Sequence, residues 1–262
     1  MVIYIKVLQF ERMIIMSGHS KWHNIQKTKG AADAKRSAVF TKIARELIVA
    51  VKEGGSGDPN NNAKLAAVVA KAKAANMPND NIKRTIDKAL GSGNQDNFES
   101  VVYEGYGPSG VAVIVDALTD NRNRTASDVR HYFDKFGGNL GQNGCVSFMF
   151  SQKGVLCFDM EGKDEDTVME DIMDCGADDV VFEDGEAVVY TSVPDFGAVR
   201  DSLEAKGYVF TSAQLEKIPS NYVRLSGEDD LKNMSRLLEN LEDNDDVQNV
   251  WHNLENEEDL PE

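Results

Sequence analysis

Phe40, Ile43, Ala44, Leu47 and Val51 recur at the i, i+3, i+4, i+7, i+11 spacing of one helix face, which predicts a helix over 31–53 ended by Gly54-Gly55. At about 100 degrees per residue, Lys35, Lys42, Arg45 and Lys52 gather on the opposite arc, so this helix has an apolar side and a basic side. A loop rich in Gly, Asn and Asp-Pro follows over 54–62. A second helix then carries Leu65, Val68, Val69 and Ala72 on one stripe until Pro78 breaks it. A third, capped near Asn79 or Asp80, carries Ile82, Thr85, Ile86, Ala89 and Leu90 up to a Gly91-Ser92-Gly93 linker.

Beyond the linker the period changes from 3.6 to 2. Strands are predicted at Val101 to Tyr106, Val111 to Leu118 and Val146 to Phe150, around a helix from Thr125 to Phe136. Next comes β-α-β-β-α-β: a strand at Val155 to Phe158, a helix at Asp164 to Met173, strands at Val180 to Phe182 and Ala187 to Thr191, a helix at Asp195 to Lys206 and a strand at Tyr208 to Leu215. That order is a ferredoxin-like signature, and Asp184-Gly185 is the hairpin cue within it. A last β-α-β (Tyr222 to Leu225, Asp229 to Leu241, Val247 to Trp251) is too small to bury a core alone and is expected to complete the earlier β-β-α-β. The expected architecture is α+β with three domains. A helical amino-terminal domain (17–96) precedes a discontinuous α/β domain (97–151 and 219–262), and a ferredoxin-like α/β domain (152–218) is inserted into the latter.

Composition sharpens this picture where charge is concerned. The formal net charge of −16 averages two opposite parts of the chain. Residues 1–96 hold 16 Lys+Arg against 8 Asp+Glu, a balance of +8, while 97–262 hold 12 against 36, a balance of −24. A basic arm on an acidic body points to a polyanionic partner despite the acidic total. The apolar run Met1 to Met16 is interrupted by Lys6, Gln9, Glu11 and Arg12, reads as neither signal peptide nor membrane span, and suggests that translation begins at Met16. Three scattered cysteines, Cys145, Cys157 and Cys175, fit small core residues in a reducing, cytoplasmic setting.

The densest candidate chemistry is Ser17 to Arg45. There His19, Trp22 and His23 interleave with Lys21, Lys27, Lys29, Lys35 and Arg36, and the first helix adds Lys42 and Arg45. Cationic side chains neutralise phosphates and release counterions, and Trp and His rings offer planes for unpaired bases. These ten residues are the candidate nucleic-acid-binding set. No zinc set is completed around His19 and His23, so neither metal nor cofactor is expected. Gly105-Tyr106-Gly107-Pro108-Ser109-Gly110 matches GxGxxG, but a strand follows it rather than a helix, so it reads as a hairpin loop. Gly137 to Gly144 lacks the Lys-Ser/Thr ending of a P-loop and reads as a mobile connector. Asp120 to Thr125 opens a helix with two arginines, and Asp243, Asp245 and Asp246 read as a solvated turn. No helix-turn-helix signature and no catalytic constellation is evident, so no enzyme is expected.

Several of these segments together resemble the YebC family: Ser17-Gly18-His19-Ser20-Lys21-Trp22, Asp33-Ala34-Lys35-Arg36, Phe40-Thr41-Lys42, Asn76-Met77-Pro78-Asn79, Tyr103-Glu104-Gly105-Tyr106-Gly107-Pro108, Thr119 to Thr125, Gly137 to Gly141 and Asp245 to Val250. Ser37 and Ser109 depart from it where glycine is usual, and Met1 to Met16 lies outside its pattern. The resemblance implies the same three-domain architecture. It implies a non-enzymatic regulator of gene expression, described for the family as a transcriptional regulator binding promoter DNA. The alternative it implies is a ribosome-associated translation factor that contacts ribosomal RNA and relieves stalling on proline-rich sequences. The partner expected on either reading is nucleic acid, with the ribosome in the second, and no membrane.

Overall fold

The computed structural model describes residues 32–91, 97–183 and 185–261, with side chains from Arg36 onward. It is α+β, with three separate hydrophobic cores. Those cores fall into two compact units, one gathering described residues 32–146 and 223–261, the other 147–222.

In the first unit α1 (Ala32–Gly54), α2 (Ala63–Ala74) and α3 (Asn79–Leu90) share a core of Ile43, Leu47, Ile48, Ala50 and Val51 with Leu65, Ala72, Met77, Ile82 and Ala89. From Leu47 to Val51 five consecutive residues of α1 are buried, so this helix is covered on every side there. Asn62 sets where α2 begins. Its Oδ1 accepts from the Leu65 amide at 3.0 Å, and its Nδ2 donates to the carbonyls of Ala50 (2.8 Å) and Ser56 (3.0 Å). At the other end of α2, Asn76 takes a left-handed conformation (φ 58), and the amides of Asn76 and Met77 bond back to the carbonyls of Lys73 and Ala72. That closure is a Schellman motif, with Met77 and Ala72 both in the core. Pro78 then precedes α3 at the position predicted for a capping Asn or Asp, and α3 has no side-chain cap.

The same unit holds a sheet of order β3-β1-β2-β8, from β1 (Glu99–Tyr106), β2 (Ala112–Thr119), β3 (Asn139–Leu140) and β8 (Val247–His252). β1 and β2 pair antiparallel from Glu99↔Thr119 to Tyr106↔Ala112, and β8 joins β2 from the far end of the chain. Helices α4 (Arg122–Lys135) and α7 (Glu228–Asp243) supply Val129, Phe133, Met234, Leu237 and Leu241 to its core. Gly105 is required by close packing: a Cβ there would lie 2.6 Å from the Asn139 carbonyl and 2.8 Å from the Phe133 ring. The β1–β2 loop is a hairpin connection, as the motif's context indicated. Ser109 sits in it at φ 50, a left-handed conformation that favours glycine, and its hydroxyl donates to Asp230 at 2.5 Å.

Two expected strands are corrected. Ser147–Met149 is a 3₁₀ turn and the strand begins at Phe150, in the second unit. The third strand of the first sheet is instead the short β3. Tyr222 to Leu225 contributes only an isolated bridge, Val223↔Leu254. Both runs satisfy strand propensity locally, but the Val146 amide is taken by the Glu104 carboxylate at 2.9 Å, and Val223 meets the Asn253 carbonyl and the Glu255 amide at a single bridge that does not extend into a ladder.

The second unit is β4 (Phe150–Asp159), α5 (Glu165–Asp174), β5 (Asp179–Glu183), β6 (Glu186–Thr191), α6 (Phe196–Ala205) and β7 (Ser212–Pro219). Its antiparallel sheet has the order β5-β6-β4-β7 of a ferredoxin-like unit. Glu183↔Glu186 closes the predicted hairpin. Leu156, Phe158, Val180, Ala187 and Val189 face Val168, Ile172, Val199 and Leu203 of the two helices. Val155, Cys157 and Tyr190 form a smaller buried cluster, where burial pushes the Cys157 thiol up to about 12.

Candidate nucleic-acid interface

Of the ten candidate residues, His19, Lys21, Trp22, His23, Lys27 and Lys29 lie outside the described residues, and of Lys35 only the backbone, in α1, is described. Arg36 is exposed near the start of α1, and no described residue pairs with it.

Lys42 and Arg45 have a different situation from the solvent-facing one their arc suggested. Lys42 Nζ donates to the carbonyl of Glu242, in the last turn of α7, at 2.6 Å. Burial lowers its pKa, although Glu242, Asp245 and Asp243 oppose the shift. Arg45 donates to the carbonyl of Asp245 (2.6 Å) and to Asp246 Oδ1 (2.5 Å), with its guanidinium 5.3 Å from the centre of the Phe98 ring. Both side chains fasten the helical segment to the sheet.

Asp246 is the centre of that junction, with only 5% of its side chain exposed. Arg124 reaches Oδ2 at 2.8 Å, the Thr125 hydroxyl donates to the same oxygen at 2.7 Å, and Arg45 holds Oδ1. Burial alone would raise the carboxyl, but the bonds from Arg124, Thr125 and Arg45 outweigh it and hold its pKa below the ordinary value. Arg124 also pairs with Asp120 at 2.9 Å, while Asn121 caps α4 by accepting from the Arg124 amide. The segment Asp120 to Thr125 therefore serves partly as one wall of the junction. Of the solvated turn expected at Asp243, Asp245 and Asp246, the turn is present and Asp243 and Asp245 are exposed, but Asp246 is buried: sequence offers two arginines 79 residues apart and no cue that both converge on one carboxylate.

The remaining cations of the helical segment divide in the same manner. Lys71 pairs with Glu46 at 2.7 Å and Lys64 pairs with Glu53. Lys73, at the end of α2, and Lys83 and Arg84, on α3, are exposed, and no described residue pairs with them. These three carry no sequence signal of their own, because each stands apart from the denser basic run that ends at Arg45.

The loop after α4 is held in place rather than mobile. The buried Glu104 carboxylate accepts from the amides of Gly144 (2.8 Å) and Val146 (2.9 Å), and the Tyr106 hydroxyl donates to the Cys145 carbonyl at 3.1 Å. Among the described residues, no three His, Cys, Asp or Glu side chains group as metal ligands, and no helix is long and apolar enough to cross a membrane.

A basic helical segment bolted to a split sheet, with a ferredoxin-like unit inserted in the chain between the sheet's halves, defines a three-core α+β protein with opposed charges along its sequence. The chain belongs to the TACO1/YebC family. Residues 20–92 match the TACO1/YebC protein N-terminal domain, and residues 98–254 match the TACO1/YebC second and third domain. A relative from Finegoldia magna, named "Probable transcriptional regulatory protein", is 58% identical over 87% of this chain and 94% of its own. A relative of the same name from Ruminiclostridium cellulolyticum is 53% identical over 87% and 92%. The crystal structure of a conserved hypothetical protein from Aquifex aeolicus is similar with a TM-score of 0.78 and 41% identity, over 90% of this chain and 96% of that one.

Proposed function

We propose that this chain is a non-enzymatic, cytoplasmic, nucleic-acid-binding regulator of gene expression that engages its target through the basic helical segment, with promoter DNA as that target. The observation that carries this is the division of the segment's cations. Some are tied to carbonyls and carboxylates within the chain, while Arg36, Lys73, Lys83 and Arg84 remain exposed without a described acidic partner. Free, exposed cations on a segment of net positive charge suit phosphate neutralisation. The relatives' name, "Probable transcriptional regulatory protein", supports a regulatory role.

A second reading, a ribosome-associated translation factor contacting ribosomal RNA, draws on a separate observation. Trp22, His19 and His23 are interleaved with lysines, an arrangement suited to stacking unpaired bases, and the strongly acidic remainder of the chain is repelled by a surrounding polyanion. Crosslinking the tagged protein in growing cells and sequencing recovered DNA and RNA side by side separates the two. Lys35→Glu/Arg36→Glu is the matched variant; Lys42 and Arg45 are unsuitable because their loss also disturbs the junction. Discrete promoter DNA, lost in the variant, supports transcriptional control. A confined ribosomal RNA region with DNA at background replaces it with the translational reading, and recovery of neither sinks both.

A further inference from the structure

We infer that α2, the four-residue turn 75–78 and α3 form a helix-turn-helix unit whose α3 is the surface that enters the major groove of a DNA duplex. This rests on the proposed function and deepens it, adding α3 as the groove contact beside the phosphate-facing cations of α1. Three observations converge. First, the connection has the length such units use, and it is built rather than slack: the Schellman closure at Asn76, Met77 in the core and Pro78 at the start of α3 fix how the two helices meet. Second, α3 buries Ile82 and Ala89 on one side. At about 100 degrees per residue, Asp80, Lys83, Arg84 and Asp87 then share the opposite arc, and these four are exposed, as is Asn79 at the start of the helix. Third, none of those five side chains forms a hydrogen bond or ion pair among the described residues, whereas the cations on the α1 arc do: Lys42 and Arg45 hold the junction.

The residue types fit a groove. Lys83 and Arg84 can meet phosphates or the O6 and N7 acceptors of guanine, and Asn79 can pair with the adenine edge. Asp80 and Asp87 stand on the same arc, which weakens plain phosphate attraction; as acceptors they suit the amino group of cytosine. The arc is therefore a reading surface more than an electrostatic clamp. Lys73, in the last turn of α2, adds a cation beside the turn.

The test uses the full chain and two probe pools, randomised 30-base-pair DNA duplexes and RNA hairpins of similar length. Wild type is expected to enrich members of the DNA pool. Lys83→Ala/Arg84→Ala is expected to weaken binding to the enriched duplexes roughly tenfold or more. On DNA it should also reduce the salt slope by about 2, with the thermal midpoint unchanged because both side chains are exposed. Asp87→Asn is expected to relax the enriched sequence preference. If wild type binds but the double variant keeps its affinity and salt slope within twofold, the assignment of α3 is overturned while the proposed function stands. Binding confined to the RNA pool likewise overturns the assignment, because the narrow major groove of an RNA duplex does not admit a helix. If wild type binds neither pool nor recovers nucleic acid from cells, the proposed function itself falls.

Discussion

Asp246 shows how much one carboxylate can organise. It receives two guanidinium groups and a hydroxyl while almost fully buried, so removing it leaves Arg45 facing a low-dielectric site unpaired. Asp246→Ala is expected to destabilise the protein by about 3 kcal/mol in urea unfolding. Its folded pKa lies below the ordinary 3.8, so its contribution is fully present above that value and is lost as pH falls through the folded pKa. Urea midpoints measured from about pH 6 down to about pH 2 should therefore drop on the acid limb in wild type and drop less in Asp246→Asn. Exposed and tied cations should also separate cleanly. Arg36→Glu is expected to reduce nucleic-acid binding with an unchanged thermal midpoint, whereas Lys42→Glu is expected to lower the midpoint, since it places a carboxylate against the last carbonyls of α7 beside Asp243 and Asp245. Calorimetry together with a binding titration checks both.

Among elements, the periods of the chain were the dependable signal. The α1 stripe from Phe40 to Val51, the β-α-β-β-α-β order and the hairpin closed by Glu183 and Glu186 all read correctly because each depends on neighbours close in sequence. The misread strand at Val146 to Phe150 and the buried Asp246 have the opposite character: Val146 is held by Glu104, 42 residues back, and Asp246 by Arg45 and Arg124, more than a hundred residues away, and local propensity carries no trace of either. The helix boundaries yield two expected outcomes. Asn62→Ala should cost about 1 to 2 kcal/mol, because it removes the α2 cap and leaves the Ala50 carbonyl without its side-chain donor. Gly105→Ala should cost on the order of 2 kcal/mol, through its collision with the Asn139 carbonyl and the Phe133 ring. Chemical denaturation of each variant measures these values.

At the scale of the whole molecule, the contacts at Lys42 and Arg45 bring the helical core and the split sheet into one compact unit. Removing them should make the helical core unfold apart from the sheet. Arg45→Ala is expected to split a shared thermal transition into an earlier one for residues 32–91 and a later one for the sheet, resolvable by hydrogen exchange along the chain.

The split sheet also constrains the order of events during synthesis. Residues 147–222 contain every strand of their own sheet, so this stretch can fold as soon as it leaves the ribosome. β1 and β2, made earlier, must wait for β8, and Arg45 must wait for Asp246, 201 residues later. At roughly 5 to 20 residues per second, the nascent helical segment spends on the order of ten seconds or more without its anchoring carboxylate. The first part of the chain to be made is thus among the last to be secured, and during that interval its unshielded cations face whatever polyanion lies nearest.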